Sequence, residues 1–210
     1  MQKNKWLFTK LLEGKSSSRV VAYLGVLTAF FTVVNFLEIS ISTDVQLSLT
    51  MAVAMLIGIL VGPIFGGGVC FLGDAVGFLL NPKGSIYMIW VGLSVAAFAF
   101  LAGVIFHILP STKKGNIWWK LVLLCISSFL ICTVGINSTG FYFYNRAIGF
   151  SQAVENFVTQ KFGGGVFFWG YVVYRLFFKL QLIGSLINYA LLFLILPILL
   201  KIDVLKLKIS

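Results

Sequence analysis

Hydrophobic residues along this chain fall into long runs rather than into the alternating or striped patterns of water-soluble strands and helices. An α-helix needs roughly 20 mostly apolar residues to cross a bilayer, and several runs approach that length. We expect membrane-crossing helices at residues 20–37, 47–61, 65–80, 86–109 and 121 to about 137. The pattern therefore predicts an all-α integral membrane protein.

The last apolar run, residues 166–200, is too long for one perpendicular helix and contains Arg175 and Lys179. A charge at the centre of a bilayer is costly, so we expect the run to divide after these charges. Residues 166–179 are predicted to form an aromatic interfacial helix, and residues 180–200 the sixth membrane span. The predicted fold is thus a six-transmembrane-helix bundle.

Composition supports a membrane location. Of the 210 residues, 60% are apolar and 10% are charged, and the mean hydropathy is +1.02. A soluble domain of this size cannot bury that much apolar surface. The surrounding solvent is therefore expected to be lipid.

The basic residues predict the orientation of the chain. With six spans and both termini cytoplasmic, the cytoplasmic side holds 11 of the 16 Lys and Arg residues, as the positive-inside rule requires. These are Lys3, Lys5, Lys10, Lys15, Arg19, Lys113, Lys114, Lys120, Lys201, Lys206 and Lys208. Since topology accounts for the net charge of +10, we do not expect nucleic-acid binding.

Three segments follow from this topology. Residues 1–19 form a basic cytoplasmic N-terminal segment, residues 20–200 the transmembrane domain and residues 201–210 a cytoplasmic tail. The first segment lacks the short apolar core of a secretory signal, so we expect it to remain in the mature protein.

Metal-binding residue types are scarce and scattered. Cys70, Cys125 and Cys132 lie inside apolar segments without a CxxC spacing, and the single histidine, His107, falls at a predicted helix end. Such cysteines are most often small apolar packing residues. We expect neither a metal site nor a cofactor.

Glycines recur every four residues around a turn between the second and third predicted spans. Gly58, Gly62 and Gly66 surround the Gly62-Pro63 reversal, and Gly73 and Gly77 continue the spacing beyond it. This spacing lets helices approach closely in lipid. We therefore predict a close-packed hairpin, with structural roles for Gly62, Pro63, Gly66 and Gly77.

Asp74 is the one acidic residue inside an apolar run. A carboxyl group within the membrane is by default a candidate functional site, whereas one bonded to nearby hydroxyl or backbone groups is structural. Because Asp74 belongs to the glycine-rich hairpin, which we expect close to the cytoplasmic third of the membrane, we interpret it as structural.

Several motifs follow one another in a characteristic order. They are LVGPIFG at 60–66, LGDAVGFLL at 72–80 and NPKG at 81–84, preceded by a basic N-terminus and followed later by Tyr174-Arg175 before the last helix. The pattern resembles the substrate-binding S components of energy-coupling-factor (ECF) vitamin transporters, most closely the folate-type branch. The residues that carry it are Gly62, Pro63, Phe65, Gly66, Asp74, Gly77 and Pro82. The chain departs from that branch in its longer basic N-terminus and in an extended segment, residues 150–169.

This resemblance implies a six-helix bacterial plasma-membrane protein that binds a water-soluble vitamin from outside. Folate or a related pterin is favoured, and riboflavin and pantothenate remain alternatives. Uptake would require a transmembrane coupling protein and two cytoplasmic ATPase subunits. The absence of a GxxxxGK[ST] phosphate loop agrees with ATP hydrolysis on another subunit.

Candidate ligand contacts lie at the predicted outer surface. Arg175 and Lys179 stand four apart on one helix face and could receive a carboxylate; the alternative is contact with lipid phosphates. A polar and aromatic set could stack on and hydrogen-bond a flat ring, although membrane-interface belts use the same residue types. The set comprises Asn137, Tyr142, Tyr144, Asn145 and Arg146, with Asn35 from the first outer loop.

A row of small residues on the first helix completes the candidates. Ala22, Gly25 and Ala29 would contact the coupling protein in an S component, whereas in any bundle such residues also serve packing within the chain.

Two other function classes are weighed against this one. A membrane-embedded enzyme needs a catalytic group with a partner at membrane depth, and this chain offers one histidine and one buried acid, so we do not expect an enzyme. A self-contained secondary transporter typically shows an internal repeat, and none is evident.

Overall fold

The computed structural model describes residues 12, 14–36, 39–40, 46–47, 49–80, 86–109 and 116–199. Several expectations lie wholly or largely outside the described residues. These are the basic segment 1–19, the first outer loop at 38–46, the turn at 81–84, the basic loop at 110–115 and the tail at 201–210.

The described chain is helical apart from one short antiparallel pair, β1 (Ile39–Ser40) with β2 (Gln46–Leu47). In chain order the helices are α1 (Ser17–Phe36), α2 (Thr50–Val61), α3 (Pro63–Leu80), α4 (Ile89–Ile108), α5 (Asn116–Ser128), a first π-helical segment (Phe129–Ser138), α6 (Thr139–Ile148), α7 (Gln152–Phe162), α8 (Phe168–Val173), a second π-helical segment (Tyr174–Phe178) and α9 (Gln181–Leu199).

Within the described ranges, four helices are long and apolar enough to cross a membrane. They are Ser17–Phe36, Pro63–Leu80, Ile89–His107 and the continuous stretch Ile117–Ile148. A fifth span results if Phe168–Phe178 and Gln181–Ile195, which meet at a 60° bend, count as one. The expected division after Lys179 is confirmed, because the bend falls there and Leu180 has a φ of +51°.

Helix α2 is only 12 residues long and is packed on nearly all sides. A Cβ added at Gly58 would meet the carbonyl group of Ala99 in α4, and one added at Gly66 would lie 2.8 Å from the Cα of Gly58. Gly62, with a φ of +97°, makes the turn to α3. The predicted close-packed hairpin is confirmed, and α4 packs against it equally closely.

A second, smaller core joins α6, α7 and α8. Its buried members are Tyr142, Val154, Val158, Tyr171 and Tyr174, and further aromatic rings surround them. This core holds the amphipathic helix α7 against the rest of the chain through Val154 and Val158.

The predicted end of the fifth span at about residue 137 is wrong. The helix that begins at Asn116 continues through the first π-helical segment and α6 to Ile148. Residues 138–148 are polar enough to look like a loop, but their polar and aromatic groups lie on helix faces that pack against α4, α7 and α8.

Candidate functional site

A cavity of about 340 Å³ lies between α6, the start of α7, α8 and the second π-helical segment. Its volume is in the range of small-molecule sites. Four aromatic rings, two cationic side chains and a few small polar groups form its wall, and no carboxylate is among them. The lining residues are Met88, Phe141, Tyr144, Asn145, Ser151, Val154, Tyr171, Tyr174, Arg175 and Lys179.

Arg175 is the most distinctive group of the wall. Its guanidinium lies over the ring of Phe141, 4.3 Å from the ring centre, and its Nη1 makes a long 3.5 Å contact with Ser138 Oγ. Of the two acids in the described ranges, Asp74 pairs elsewhere and Glu155 is exposed, and neither forms an ion pair with Arg175. A partly buried guanidinium that retains N–H donors suits an anionic group on a ligand.

Asn145 and Tyr171 form the neutral polar part of the wall. The amide nitrogen of Asn145 donates to the Phe141 carbonyl at 2.8 Å and to the Tyr171 hydroxyl at 2.9 Å. Both amide hydrogens are thereby engaged, so the Asn145 oxygen remains as an acceptor. The Tyr171 hydroxyl, having accepted one bond, can donate another. Donor and acceptor groups therefore stand among the rings.

The two π-helical segments contact each other next to this cavity. Ser138 ends the first one and donates its hydroxyl to the carbonyl of Thr133, five residues back, at 2.9 Å. Arg175, in the second segment, contacts the same hydroxyl. π-Helical turns are rare and occur often at functional sites. The contact between the two distorted segments thus lies directly beside the cavity wall that Tyr174 and Arg175 form.

Four residues predicted from the sequence to contact a ligand line the same cavity. They are Tyr144, Asn145, Arg175 and Lys179. The other predicted contacts lie elsewhere: Tyr142 is buried in the second core, Arg146 is exposed, and Asn137 is four residues before Phe141 without reaching the cavity surface.

Asn35 also lies outside the cavity. Its amide nitrogen donates to Asp74 Oδ1 at 3.2 Å, while the Tyr87 hydroxyl donates to Asp74 Oδ2 at 3.1 Å. Burial and the adjacent carboxyl group raise the pKa of Tyr87 to about 12, so Tyr87 remains a donor at physiological pH. Asp74 thereby joins α1 and α3 to the residues that precede α4.

The position of Asp74 within the bundle is defined by its hydrogen bonds, whereas its expected depth in the membrane stays a prediction. Asp74 contacts the end of α1 and the approach to α4, and these lie at the end of the bundle opposite the Gly62 turn. The glycine spacing placed Asp74 in the hairpin correctly, but the helix continues long enough beyond the turn to carry it toward the other end. Gly92 leaves room for this cluster, since a Cβ there would lie 2.8 Å from Asp74 Oδ2.

Sequence reasoning missed several members of the site. Met88, Tyr171 and Tyr174 line the cavity, and Trp90 packs behind it against Phe141 and Tyr144 with ring centres 5.7 Å apart. In the sequence these aromatic residues look like a membrane-interface belt. Only the i, i+3, i+4 spacing of Phe141, Tyr144 and Asn145 could have indicated that they share a face.

The remaining candidates are placed as follows. Ala22, Gly25 and Ala29 are all exposed on α1, and a Cβ added at Gly25 would meet nothing within 4 Å. His107 Nε2 donates to the Ile59 carbonyl at 2.6 Å. Across the described ranges no cluster of three or more His, Cys, Asp or Glu residues could hold a metal ion.

Comparison with known proteins identifies the family. The family model for the S component of ECF-type riboflavin transporters matches residues 15–179. No curated protein matches the chain by sequence. Among solved structures, a crystal structure of FolT bound with folic acid superposes with a TM-score of 0.54 at 20% identity, covering 83% of this chain and 93% of that one.

At 20% identity the structural likeness shows a shared fold, and the family match spans most of the chain. The expected resemblance is confirmed, and this membrane protein belongs to the ECF-type riboflavin transporter S component family.

Proposed function

We propose that this chain is the substrate-binding subunit of a vitamin importer and that its ligand is folate or a related pterin. The observation that carries the choice of ligand is Arg175, a guanidinium without an ion-pair partner among the described residues, at the wall of an aromatic cavity. Folate combines a flat heteroaromatic head with a carboxylate-bearing tail. The rings suit the head, and Arg175 with Lys179 suits the tail.

The shared fold with FolT, which was crystallised with folic acid, supports this proposal. Riboflavin is the second candidate because the matching family is described as transporting it. Riboflavin is a flat heteroaromatic molecule without a carboxylate, so it gives Arg175 no anion to bind. The two candidates therefore differ in their dependence on one side chain.

The wider assembly is part of the same proposal. Six spans would place both termini in the cytoplasm and the cavity at the outer face of a bacterial plasma membrane, since the cavity lies at the end opposite the Gly62 turn. A transmembrane coupling protein and two cytoplasmic ATPases would drive release. The exposed face of Ala22, Gly25 and Ala29 is available to the coupling protein because it takes no part in packing within the chain.

The test is calorimetric titration of the purified protein in detergent with folic acid, riboflavin and pantothenate, using wild type and Arg175→Gln. We expect one-to-one binding of folic acid and a loss of about 10- to 100-fold in the variant, the size of a hydrogen bond to a charged group. Arg146→Gln is the matched control, because Arg146 is exposed and does not line the cavity.

Riboflavin binding that is unaffected by Arg175→Gln, without folic acid binding, would replace the folate proposal by its alternative. If correctly folded wild type binds none of the three vitamins, the assignment of this cavity to vitamin binding fails.

A further inference from the structure

Trp90 is held in one position behind the cavity wall by close packing. A Cβ added at Gly140 would overlap the indole ring, so glycine at 140 allows α6 and the start of α4 to approach here. Further along α4, Ser94 Oγ donates to the Cys132 carbonyl at 3.2 Å and joins α4 to the first π-helical segment. The indole therefore has little room to move.

The indole contacts the ring over which the Arg175 guanidinium lies. Trp90 and Phe141 meet at 76°, with ring centres 5.7 Å apart. The guanidinium of Arg175 lies over the same Phe141 ring, 4.3 Å from its centre. Phe141 and Arg175 both line the cavity, whereas Trp90 does not. Side chains from α4, α6 and the second π-helical segment thus form one continuous series of contacts that ends at the cavity.

The position of Arg175 depends strongly on Phe141. Its contact with Ser138 Oγ, at 3.5 Å, is longer than an ordinary hydrogen bond. A cation is attracted to the face of an aromatic ring, so the orientation of that ring determines where the cation lies. Within the described ranges, Phe141 makes its one aromatic pair with Trp90. The ring that holds Arg175 is therefore itself held by the indole.

We infer that Trp90 is a positioning residue for Arg175, because the indole keeps Phe141 in the orientation that directs the guanidinium toward an anionic group of the ligand. Trp90 acts through Phe141 and Arg175 and does not touch the ligand. The inference rests on the proposed function and deepens it, since it names a residue on another helix that sets the affinity for the anionic part of the ligand. A role confined to the shape of the cavity would instead affect every ligand alike.

The first experiment compares a ligand that has carboxylates with one that lacks them. Folic acid and 6-methylpterin are titrated calorimetrically against wild type, Trp90→Leu, Arg175→Gln and the double variant. Trp90→Leu should weaken folic acid binding about 3- to 10-fold, the size of one aromatic pair, and leave 6-methylpterin nearly unchanged. In the Arg175→Gln background the same substitution should cause no further loss, because the cation that Trp90 positions is already absent.

Two further variants control for the change of side chain. Trp90→Phe keeps an aromatic ring at this position, so it should recover part of the affinity for folic acid. If Trp90→Leu is not recovered as folded protein, Trp90→Phe takes its place, with a smaller loss expected in the same pattern. Trp119→Leu is the matched control, because Trp119 is exposed on α5 and does not line the cavity. It should change the affinity for neither ligand.

A second experiment tests the series of contacts without a ligand. Thermal unfolding of the ligand-free protein is measured for Trp90→Leu, Arg175→Gln and the double variant. The effects of the two substitutions on stability should be non-additive, since both side chains contact Phe141. In a Phe141→Leu background this coupling should disappear, because the ring that joins the two side chains is gone.

Equal weakening of folic acid and 6-methylpterin by Trp90→Leu would indicate a packing role and overturn the inference. An undiminished loss in the Arg175→Gln background, or no effect on folic acid, would overturn it as well. If wild type does not bind folic acid, the proposed ligand fails by itself, and the unfolding experiment decides the inference. Coupling that requires Phe141 would then support the positioning role, and additive effects would refute it.

Discussion

Two regions of the molecule are packed in different ways. In the glycine-packed region, α2 with the parts of α3 and α4 that face it, backbone approaches backbone: a Cβ at Gly103 would lie 2.6 Å from the Cα of Pro63. In the aromatic region, α6 to α8 with the second π-helical segment, large rings meet at centre distances of 5–6 Å. Rings of that size do not fill space completely, and the cavity lies among them.

This difference in packing distinguishes the region that supports the fold from the region that contains the candidate binding site. Close backbone contacts between regular helices leave little space for adjustment, so the glycine-packed region serves as the scaffold. The aromatic region contains the second π-helical segment, and it borders the first π-helical segment and the kink at Leu180. Cavity groups that retain spare donors, such as the guanidinium of Arg175, are those that a ligand can satisfy.

The largest effect should come from adding volume to the glycine-packed region. Gly58→Leu places a side chain where a Cβ alone would already meet the carbonyl group of Ala99, and backbone of α4 cannot move aside without the helix. We expect a loss of about 3 kcal/mol or more in the free energy of unfolding, so that little folded protein is recovered. Detergent size-exclusion chromatography and thermal unfolding measure this.

Gly68→Leu provides the matched comparison. Gly68 lies on α3 in an exposed position, and a Cβ there would meet nothing within 4 Å. This variant should fold like wild type, with a slight gain from improved helix propensity. Tolerance of leucine at both positions would show that the region is not packed as tightly as described.

The glycine-packed region was accessible from the sequence because its signal is local and periodic. A four-residue spacing of glycines around a Gly-Pro turn has one main structural meaning in lipid, and Gly58, Gly62 and Gly66 have the expected positions. The break after Lys179 was equally predictable from the cost of burying charge.

The aromatic region was harder to predict because its contacts join distant segments and its helices are irregular. The continuation of the fifth span through residues 138–148 was missed, since a stretch rich in polar residues looks like a loop even where one of its faces packs against other helices through Tyr142. Arg175 was identified as a candidate by its charge, whereas Trp90 was not, because nothing local distinguishes it from an interface tryptophan. Tyr142 is buried in the second core, whereas Tyr144 lines the cavity. This difference depends on which neighbouring element each face of α6 contacts.

A smaller effect is expected at Asp74, which joins α1 and α3 to the residues that precede α4. Asp74→Ala leaves the amide of Asn35 and the hydroxyl of Tyr87 without their acceptor. We expect a loss of about 1–3 kcal/mol in stability by thermal unfolding, and weaker folic acid binding because Tyr87 directly precedes the cavity residue Met88.

Asp74→Asn keeps the shape and one acceptor oxygen, so it should recover part of both losses. A double-mutant cycle between Asp74→Ala and Tyr87→Phe should show coupling, since the two side chains share one hydrogen bond. Additive effects in that cycle would mean that Asp74 does not position the residues before α4.

The smallest effect on the isolated chain is expected on the exposed face of α1, where small residues occur without close packing. Ala29→Leu adds volume at a position exposed to the surroundings, so stability should change by less than about 0.5 kcal/mol and vitamin affinity should not change. If that face meets the coupling protein, the same substitution should reduce vitamin uptake in cells that contain all subunits, because a larger side chain prevents close helix approach. Phe30→Trp, at an exposed position of the same helix that lies about 100° around the axis from Ala29, is the control for added volume away from the small-residue face. Normal uptake by Ala29→Leu would mean that the small residues of α1 contact lipid only. Small residues would then be needed in this protein for packing within the chain and not for contact with a partner.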